Sequence, residues 1–379
     1  MSRRLAIRGV GVVGGFGTGR EALLRALATG GGPNGTIDVE TPEGLKTFPA
    51  YLADASGIRS FIDEQKLRRV DRFTQSALLG ACLALADAGL LDRVDRTRMG
   101  LVLATGHGAL GSATELLDSI LDDGDAFASP LLFARAIHSA AASVVSILLG
   151  IRGPCLTVSQ MAMLVPMAFS TARQWLLEGR ADQVLVGGVD GYCKVLGYCR
   201  ERFFGEGNRG PISPLAFDEQ TAVAAEGSAF LLLTRDEGVP PRYGYLDKVA
   251  VGRVAGPTLG LPEDVLVLVG ADGHRHCGSR YVELLPPTAQ VAGFAPIYGS
   301  LPTGLAFDLV IAALACERGL LWLAPTAKDP VISSQPTVLR EEVEIGNRPI
   351  YCLKLDKEGW FGWVRLSPVD SKFAVHPDA

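Results

Sequence analysis

Residues 153–190 read GPCLTVSQMAMLVPMAFSTARQWLLEGRADQVLVGGVD. Gly153-Pro154 breaks whatever precedes it, and Leu156-Thr157-Val158 is a short apolar strand. Ser159-Gln160 is placed to cap a helix N-terminus. Apolar residues then recur three to four apart at Met163, Leu164, Met167, Ala168, Thr171, Ala172 and Trp175, the spacing of a packed helix. Glu178-Gly179-Arg180 ends that helix, and Val184-Leu185-Val186 opens a buried strand. A strand feeding a helix through a tight turn is a mount for a nucleophile, because the helix N-terminus stabilises a developing anion. No obvious nucleophile occupies the turn.

Around this stretch lies a chain of 379 residues, too long for one typical core, so two domains or a duplicated architecture are expected. Apolar residues make up 48% and charged ones 20%, a globular composition. A net charge of −5 without a basic cluster argues against nucleic-acid binding. No apolar run approaches the roughly 18 residues of a membrane span. Ser2-Arg3-Arg4 leads into a strand and glycines, not into a signal-peptide core. The seven cysteines are scattered and odd in number, which fits a reduced, cytoplasmic setting. Glu237-Gly238-Val239-Pro240-Pro241 is the one linker signal, dividing the chain into halves 1–238 and 239–379.

Leu5–Ile7 reads as a strand, and Gly9, Gly11 and Gly14 after it form a GxGxxG. Helix 20–28 follows, and strand 36–40 ends in an acid. Together they imitate a dinucleotide-binding fingerprint and allow a nucleotide-binding oxidoreductase. A second match at Gly106, Gly108 and Gly111 follows the strand Leu101–Ala104, and two matches in one glycine-rich chain weaken each. The periodicity predicts helices over 66–91, 112–121 and 131–150. The last is rich in alanine and serine, as in a core or a dimer interface. Strands are expected at 229–233, 243–252, 265–269, 350–355 and 363–366, with a helix over 299–319.

The segments RRVDRFTQSALLGACLALADAGL (68–90), GPCLTV (153–158), GRADQVLVGGVD (179–190) and SPLAFDEQTAVAAEGSAFLLL (213–233) resemble, in order and spacing, the β-ketoacyl-acyl-carrier-protein synthases, or ketosynthases. The resemblance spans about residues 4–240. It implies the thiolase-like fold, an α/β five-layered α-β-α-β-α sandwich of two duplicated βαβαβ halves, normally dimeric. It also explains both glycine matches as ordinary turns of the N-terminal half.

The family's reaction needs a cysteine at the strand-to-helix turn and two histidines that stabilise an enolate. Counted from Gly153-Pro154, the cysteine position is Ala162, which cannot be acylated. Cys155, seven residues earlier, reads as a buried small hydrophobe. The first histidine position falls on Asp272, whose negative charge would repel an enolate, while a slip of two residues would bring His274 there. The second falls on Ser300, and the family's lysine falls near Ala295. The closing glycine-rich loop is reduced to Gly359-Trp360-Phe361-Gly362.

Gln160 lies two residues from the empty cysteine position. Chain length factors, the inactive partners of polyketide ketosynthases, often carry glutamine at that position. Met161 and Met163 flank Ala162 and stand where they could block a tunnel. His274-Arg275-His276-Cys277 offers metal ligands, but no CxxC or second pair completes a tetrahedral set, so neither a metal nor another cofactor is expected. His138 reads as a satisfied structural histidine.

The resemblance therefore implies a ketosynthase-like protein of fatty acid, polyketide or aryl polyene biosynthesis. It would lack the condensing triad and act as a chain-length-factor-like subunit. Its partners would be an active ketosynthase, or a second copy, and an acyl carrier protein. The alternative is an acyl-thioester enzyme with a non-standard site built on Cys155, Ser159 or His274.

Overall fold

The structure is a computed structural model describing residues 4–92, 95–204, 211–216, 219–275, 278–325 and 336–369. Five strands build the first half: β1 (Leu5–Gly14), β2 (Met99–Thr105), β3 (Cys155–Ser159), β4 (Gln183–Asp190) and β5 (Gly227–Arg235). Five more build the second: β6 (Tyr245–Arg253), β7 (Leu266–Val269), β8 (Gln290–Ala292), β9 (Ile350–Leu355) and β10 (Trp360–Ser367). In space the first half runs β3-β2-β4-β5-β1 and the second β8-β7-β9-β10-β6. The pairing senses match as well. The first three strands of each order are parallel, and the last two are antiparallel to their neighbours. This repeated topology bears out the duplicated, thiolase-like architecture. The two sheets touch edge to edge only where β1 meets β6, at Leu5↔Leu246 and Ala6↔Tyr245.

In each half the third strand in chain order, β3 and β8, leads towards a central helix. Helices are α1 (Arg72–Asp87), α2 (Leu110–Asp123), α3 (Pro130–Ala136), α4 (Ala140–Leu149), α5 (Leu164–Leu177), α6 (Lys194–Phe204) and α7 (Gly304–Arg318). α5 packs against β2 and β4 of one sheet and β6 and β10 of the other. α7 lies against β5 and β1 on one side and β9 and β10 on the other. Every residue of α7 from Gly304 to Cys316 is buried, as a helix enclosed on all sides requires. The largest apolar cluster fills this middle layer. Two smaller ones lie outside the sheets, one under α1 and α4 and one under the Gly278–Leu284 helix.

Several elements depart from the sequence reading. Gly9 and Gly11 lie inside β1 and Gly14 ends it at the Gly15-Phe16 hairpin turn, with no helix opening at any of them. A Cβ on Gly9 would sit 2.3 Å from the Ala84 carbonyl, and one on Gly11 2.2 Å from that of Gly80. These glycines let α1 lie directly on the strand. The stretch 36–40 belongs to a hairpin of Gly35–Thr41 with Gly44–Tyr51, apart from the main sheet. The nucleotide-binding oxidoreductase reading is thereby overturned. The second glycine set fares no better: Gly106 faces Pro302, and Gly108 has φ +61 and lies under the His138 ring.

The expected 66–91 helix is two, Glu64–Leu67 and α1, because Asp71 is extended and its carboxylate accepts from Thr74 N. The expected 131–150 helix is also two, α3 and α4, bent by 94°. The 299–319 helix begins only at Gly304, after a separate turn at Ala295–Tyr298. Ser159 and Gln160 do not cap α5. Its N-cap is Met163, with no side-chain bond. Among the described residues no single helix is long and apolar enough to cross a membrane.

Gly11→Val should therefore act on stability. The carbonyl it meets belongs to the α1 backbone and has no rotamer to yield, so a loss of roughly 1–3 kcal/mol or more is expected. The urea midpoint of the purified variant measures it. A phosphate-binding turn would instead leave the midpoint unchanged.

Candidate active site

β3 ends at Ser159, and the turn Gln160–Met163 carries the chain into α5, so Ala162 sits one residue before the helix N-cap. The helix still offers its unpaired N-terminal amides beside that position. Met163 is buried, whereas Met161 is 58% exposed. The Gln160 amide lies against Met167 Sδ on the outer face. Cys155 opens the edge strand and is exposed, not the buried small hydrophobe expected, with Sγ 3.8 Å from the Ala142 carbonyl. Desolvation by neighbouring atoms pushes its thiol pKa up, the reverse of what a nucleophile needs.

The β9–β10 hairpin links this turn to the second cluster. Its tip is closed by Asp356, whose Oδ1 accepts from Glu358 N and Trp360 N, and by Gly359 at φ +85. Phe361 pairs with Leu355, and Gly362 pairs with Lys354. A Cβ on Gly362 would lie 2.6 Å from Pro166 and 3.0 Å from Met163 Sδ, so the strand abuts the start of α5. Residues opposite one another in an antiparallel pair share a face, which puts Lys354 on the same side as α5.

Lys354 Nζ donates to the Gly270 carbonyl at 2.7 Å and lies 3.6 Å from Asp272 Oδ2. Asp272 Oδ1 is 3.1 Å from His274 Nδ1, and Ser300 Oγ is 3.2 Å from the same nitrogen. Burial alone would push the Asp272 carboxyl up. Lys354, His274 and the Arg200 charge outweigh it and hold the group well below the usual carboxylate range. Asp272 is therefore an anion at neutral pH. The expected lysine is absent at Ala295, which is buried, and the cation arrives instead from β9.

Asp272, His274 and Ser300 touch in sequence but do not form a relay. A triad histidine uses one ring nitrogen for the acid and the other for the hydroxyl. Here both contacts converge on Nδ1, so an N–H pointed at Asp272 leaves no base facing Ser300. Ser300 is also 2% exposed and is held by its backbone N–H to the Val223 carbonyl. His276 and Cys277 lie outside the described residues. Among the described residues no cluster of His, Cys, Asp or Glu could hold a metal. His138 is exposed rather than enclosed, with its ring over Gly108 at the break between α3 and α4.

Asp190, at the end of β4, was not singled out by the sequence. It is fully enclosed. Its Oδ1 accepts from Thr105 Oγ1, Gly106 N and His107 N at 2.9–3.2 Å, and its Oδ2 from Thr303 N at 3.1 Å, at the start of α7. Burial pushes its carboxyl up. Its only sequence signal was an acid ending an otherwise apolar strand. Lys354 and Arg200 gave none, being ordinary cations in amphipathic segments.

Asp308 is buried on α7 and accepts from the Tyr298 hydroxyl at 2.9 Å. Burial lifts its pKa to about 7. Between the unfolded value near 3.8 and 7, the folded chain holds a proton that the unfolded chain has released, so stability falls as pH rises through that window. Asp308→Asn removes the titration and keeps an acceptor for Tyr298. The variant should match wild type near pH 4 and exceed it at pH 8 by roughly 4 kcal/mol, at about 1.4 kcal/mol per unit. Urea denaturation at both pH values tests this.

The family model described as "Beta-ketoacyl synthase, N-terminal domain" matches residues 2–238. Nodulation protein E of Rhizobium sp. (strain N33) is 28% identical over 281 residues, covering 71% of this chain and 65% of that protein. Putative polyketide beta-ketoacyl synthase 1 of Streptomyces halstedii is 34% identical over 200 residues, covering 50% of this chain and 47% of that protein. The chain thus spans between about half and two thirds of these curated relatives. Among solved structures, the ishigamide ketosynthase/chain length factor superposes with a TM-score of 0.81 at 18% identity, over 97% of this chain and 100% of that one. A type II acyl-carrier protein–ketosynthase complex, AntDE:AntF, gives 0.78 at 17% identity over the same shares. At such identities the likeness concerns the fold.

Proposed function

The chain belongs to the β-ketoacyl synthase family, and we propose that within it the protein serves as a subunit without cysteine-dependent condensing activity, similar in role to a chain length factor. The observation that carries this is Ala162. The strand, the turn and the helix dipole that would activate a thiolate are in place, and the side chain there has no reactive atom. The second observation is charge. Condensation requires donors aimed at a developing enolate. Asp272 presents an anion instead, and Lys354 is occupied with neutralising it.

The outer edge of β3 supports a role in an assembly. β3 ends the sheet, and Leu156, Met161, Met167 and Ile147 beside it are exposed. A bare strand edge with apolar neighbours is a template for another chain. The occupant is a Cys-containing ketosynthase or a second copy, acting in the cytoplasm on chains carried by an acyl carrier protein. The solved complex between a ketosynthase and its type II carrier protein supports that kind of partner. The pathway would be polyketide or fatty acid synthesis, and the junction between the halves is placed at 238/239, in the loop joining β5 to β6.

The second reading, an acyl-thioester enzyme with a non-standard site, draws on the Ser300–His274–Asp272 contacts. The shared Nδ1 and the buried hydroxyl count against it. A mass-tagged acyl thioester separates the two: no covalent adduct is expected at Ser300, Ser159 or Cys155.

The decisive experiment supplies the purified chain with acyl- and malonyl-carrier protein. Alone it should form no condensation product, and co-expressed with a Cys-containing ketosynthase it should co-purify with it. Product formed by the chain alone would overturn the proposal.

A further inference from the structure

Little holds α2 to the rest of the molecule. Ser112 is the one residue of Leu110–Asp123 that is buried, and no residue from 113 to 140 is. Leu117 and Leu121, one turn apart, are 59% and 81% exposed. Phe127, in the Asp125–Phe127 turn just beyond, is 77% exposed. Beside the leucine row runs an acidic one. Glu115, Asp118 and Asp122 stand three and four apart, the spacing of one helix face, and Asp123 and Asp125 extend it. Among the described residues none of these five side chains accepts a hydrogen bond or joins an ion pair. Residues 110–134 contain no lysine, arginine or histidine.

This helix breaks three local rules together. Carboxylates at a helix C-terminus oppose its dipole, and Asp122 and Asp123 fill the last turn with no cation beside them. Like charges four apart repel, as Asp118 and Asp122 do. Neighbouring leucines left in water forgo the burial that an amphipathic helix exists to gain. Nothing within the chain offsets these costs. One partner carrying cations next to an apolar row would relieve all three. A second copy seated on the same face would bring five carboxylates against five, so self-docking there is opposed by charge.

We propose that the exposed face of α2, with the Asp125–Phe127 turn, docks a cationic amphipathic helix of a different protein. The leucine row meets the partner's apolar row, and the aspartate row meets its lysines or arginines. The surface uses neither Ala162 nor the β3 edge, so the proposal stands or falls apart from the reading given above.

A synthetic helix of about 14 residues, with leucine on one face and lysine on the other, is the probe, and its mirror design carries glutamate for lysine. By fluorescence anisotropy the leucine–lysine helix should saturate the full chain with a Kd on the order of 10–100 μM, and the leucine–glutamate helix should not bind. Raising NaCl from about 50 mM to about 500 mM should weaken binding several-fold. Leu117→Ser with Leu121→Ser should weaken it about tenfold or more, whereas Leu45→Ser, an equally exposed leucine on the Gly35–Thr41/Gly44–Tyr51 hairpin, should not change it. Asp122→Asn with Asp123→Asn should weaken the probe several-fold while leaving the thermal midpoint of the free chain equal or higher, since it removes an unfavourable charge from the helix end. A purely structural role for these aspartates would lower the midpoint instead. Absence of saturation, equal binding of the glutamate helix, undiminished binding by either α2 variant, or a dimer of the free chain in sedimentation that Leu117→Ser with Leu121→Ser dissolves would each overturn the proposal.

Discussion

One buried carboxylate joins the parts of this molecule. Asp190 ends the strand after α5 and gathers amides from the loop behind β2 and from the start of α7. A carboxyl in the interior is tolerated only when its oxygens are fully used. Asp190 meets that condition with acceptor bonds from both halves of the chain. Gly106 must be a glycine for the same reason, since a Cβ there would lie 2.4 Å from Pro302. The end of β2, the loop at His107 and the N-terminus of α7 are thus held in one register by a single side chain.

How much of this was legible depended on whether a local signal competed with a distant one. The strand–turn–helix–strand of 153–190 was readable because its apolar spacing and its partners agree. Gly9 and Gly11 were ambiguous because a glycine that admits a phosphate and one that admits a helix backbone look the same in sequence. Only the approach of Gly80 and Ala84 separates them. The helices at 66–91 and 131–150 were over-extended because periodicity persists through breaks made by an aspartate cap in one case and a 94° bend in the other. The Ala162 position followed from counting eight residues past Gly153-Pro154. Lys354 could not be found that way. It reaches Asp272 from a strand some eighty residues away, and only the pairing of β9 with β7 brings the two together.

On the proposed reading, in which Asp272 stands at a histidine position, the site is not a damaged version of a condensing one. Exchange of a histidine for an acid would leave an unpaired buried charge, which is strongly destabilising. Here the acid comes with a lysine on the neighbouring strand and a histidine two residues on, so Asp272 is fully compensated. Its electrostatics are those of a closed network around one buried anion.

The middle layer has a consequence for how the chain comes into being. α5 and α7 each serve both sheets, so neither half can cover its own central helix. When the first 238 residues have left the ribosome, α5 still presents to water the face that β6 and β10 will later cover. The N-terminal half must wait, partly unsealed, for the rest of its own core to be synthesised. A duplicated topology here yields one cooperative unit, and its period of greatest exposure is set by translation time, at about 5–20 residues per second.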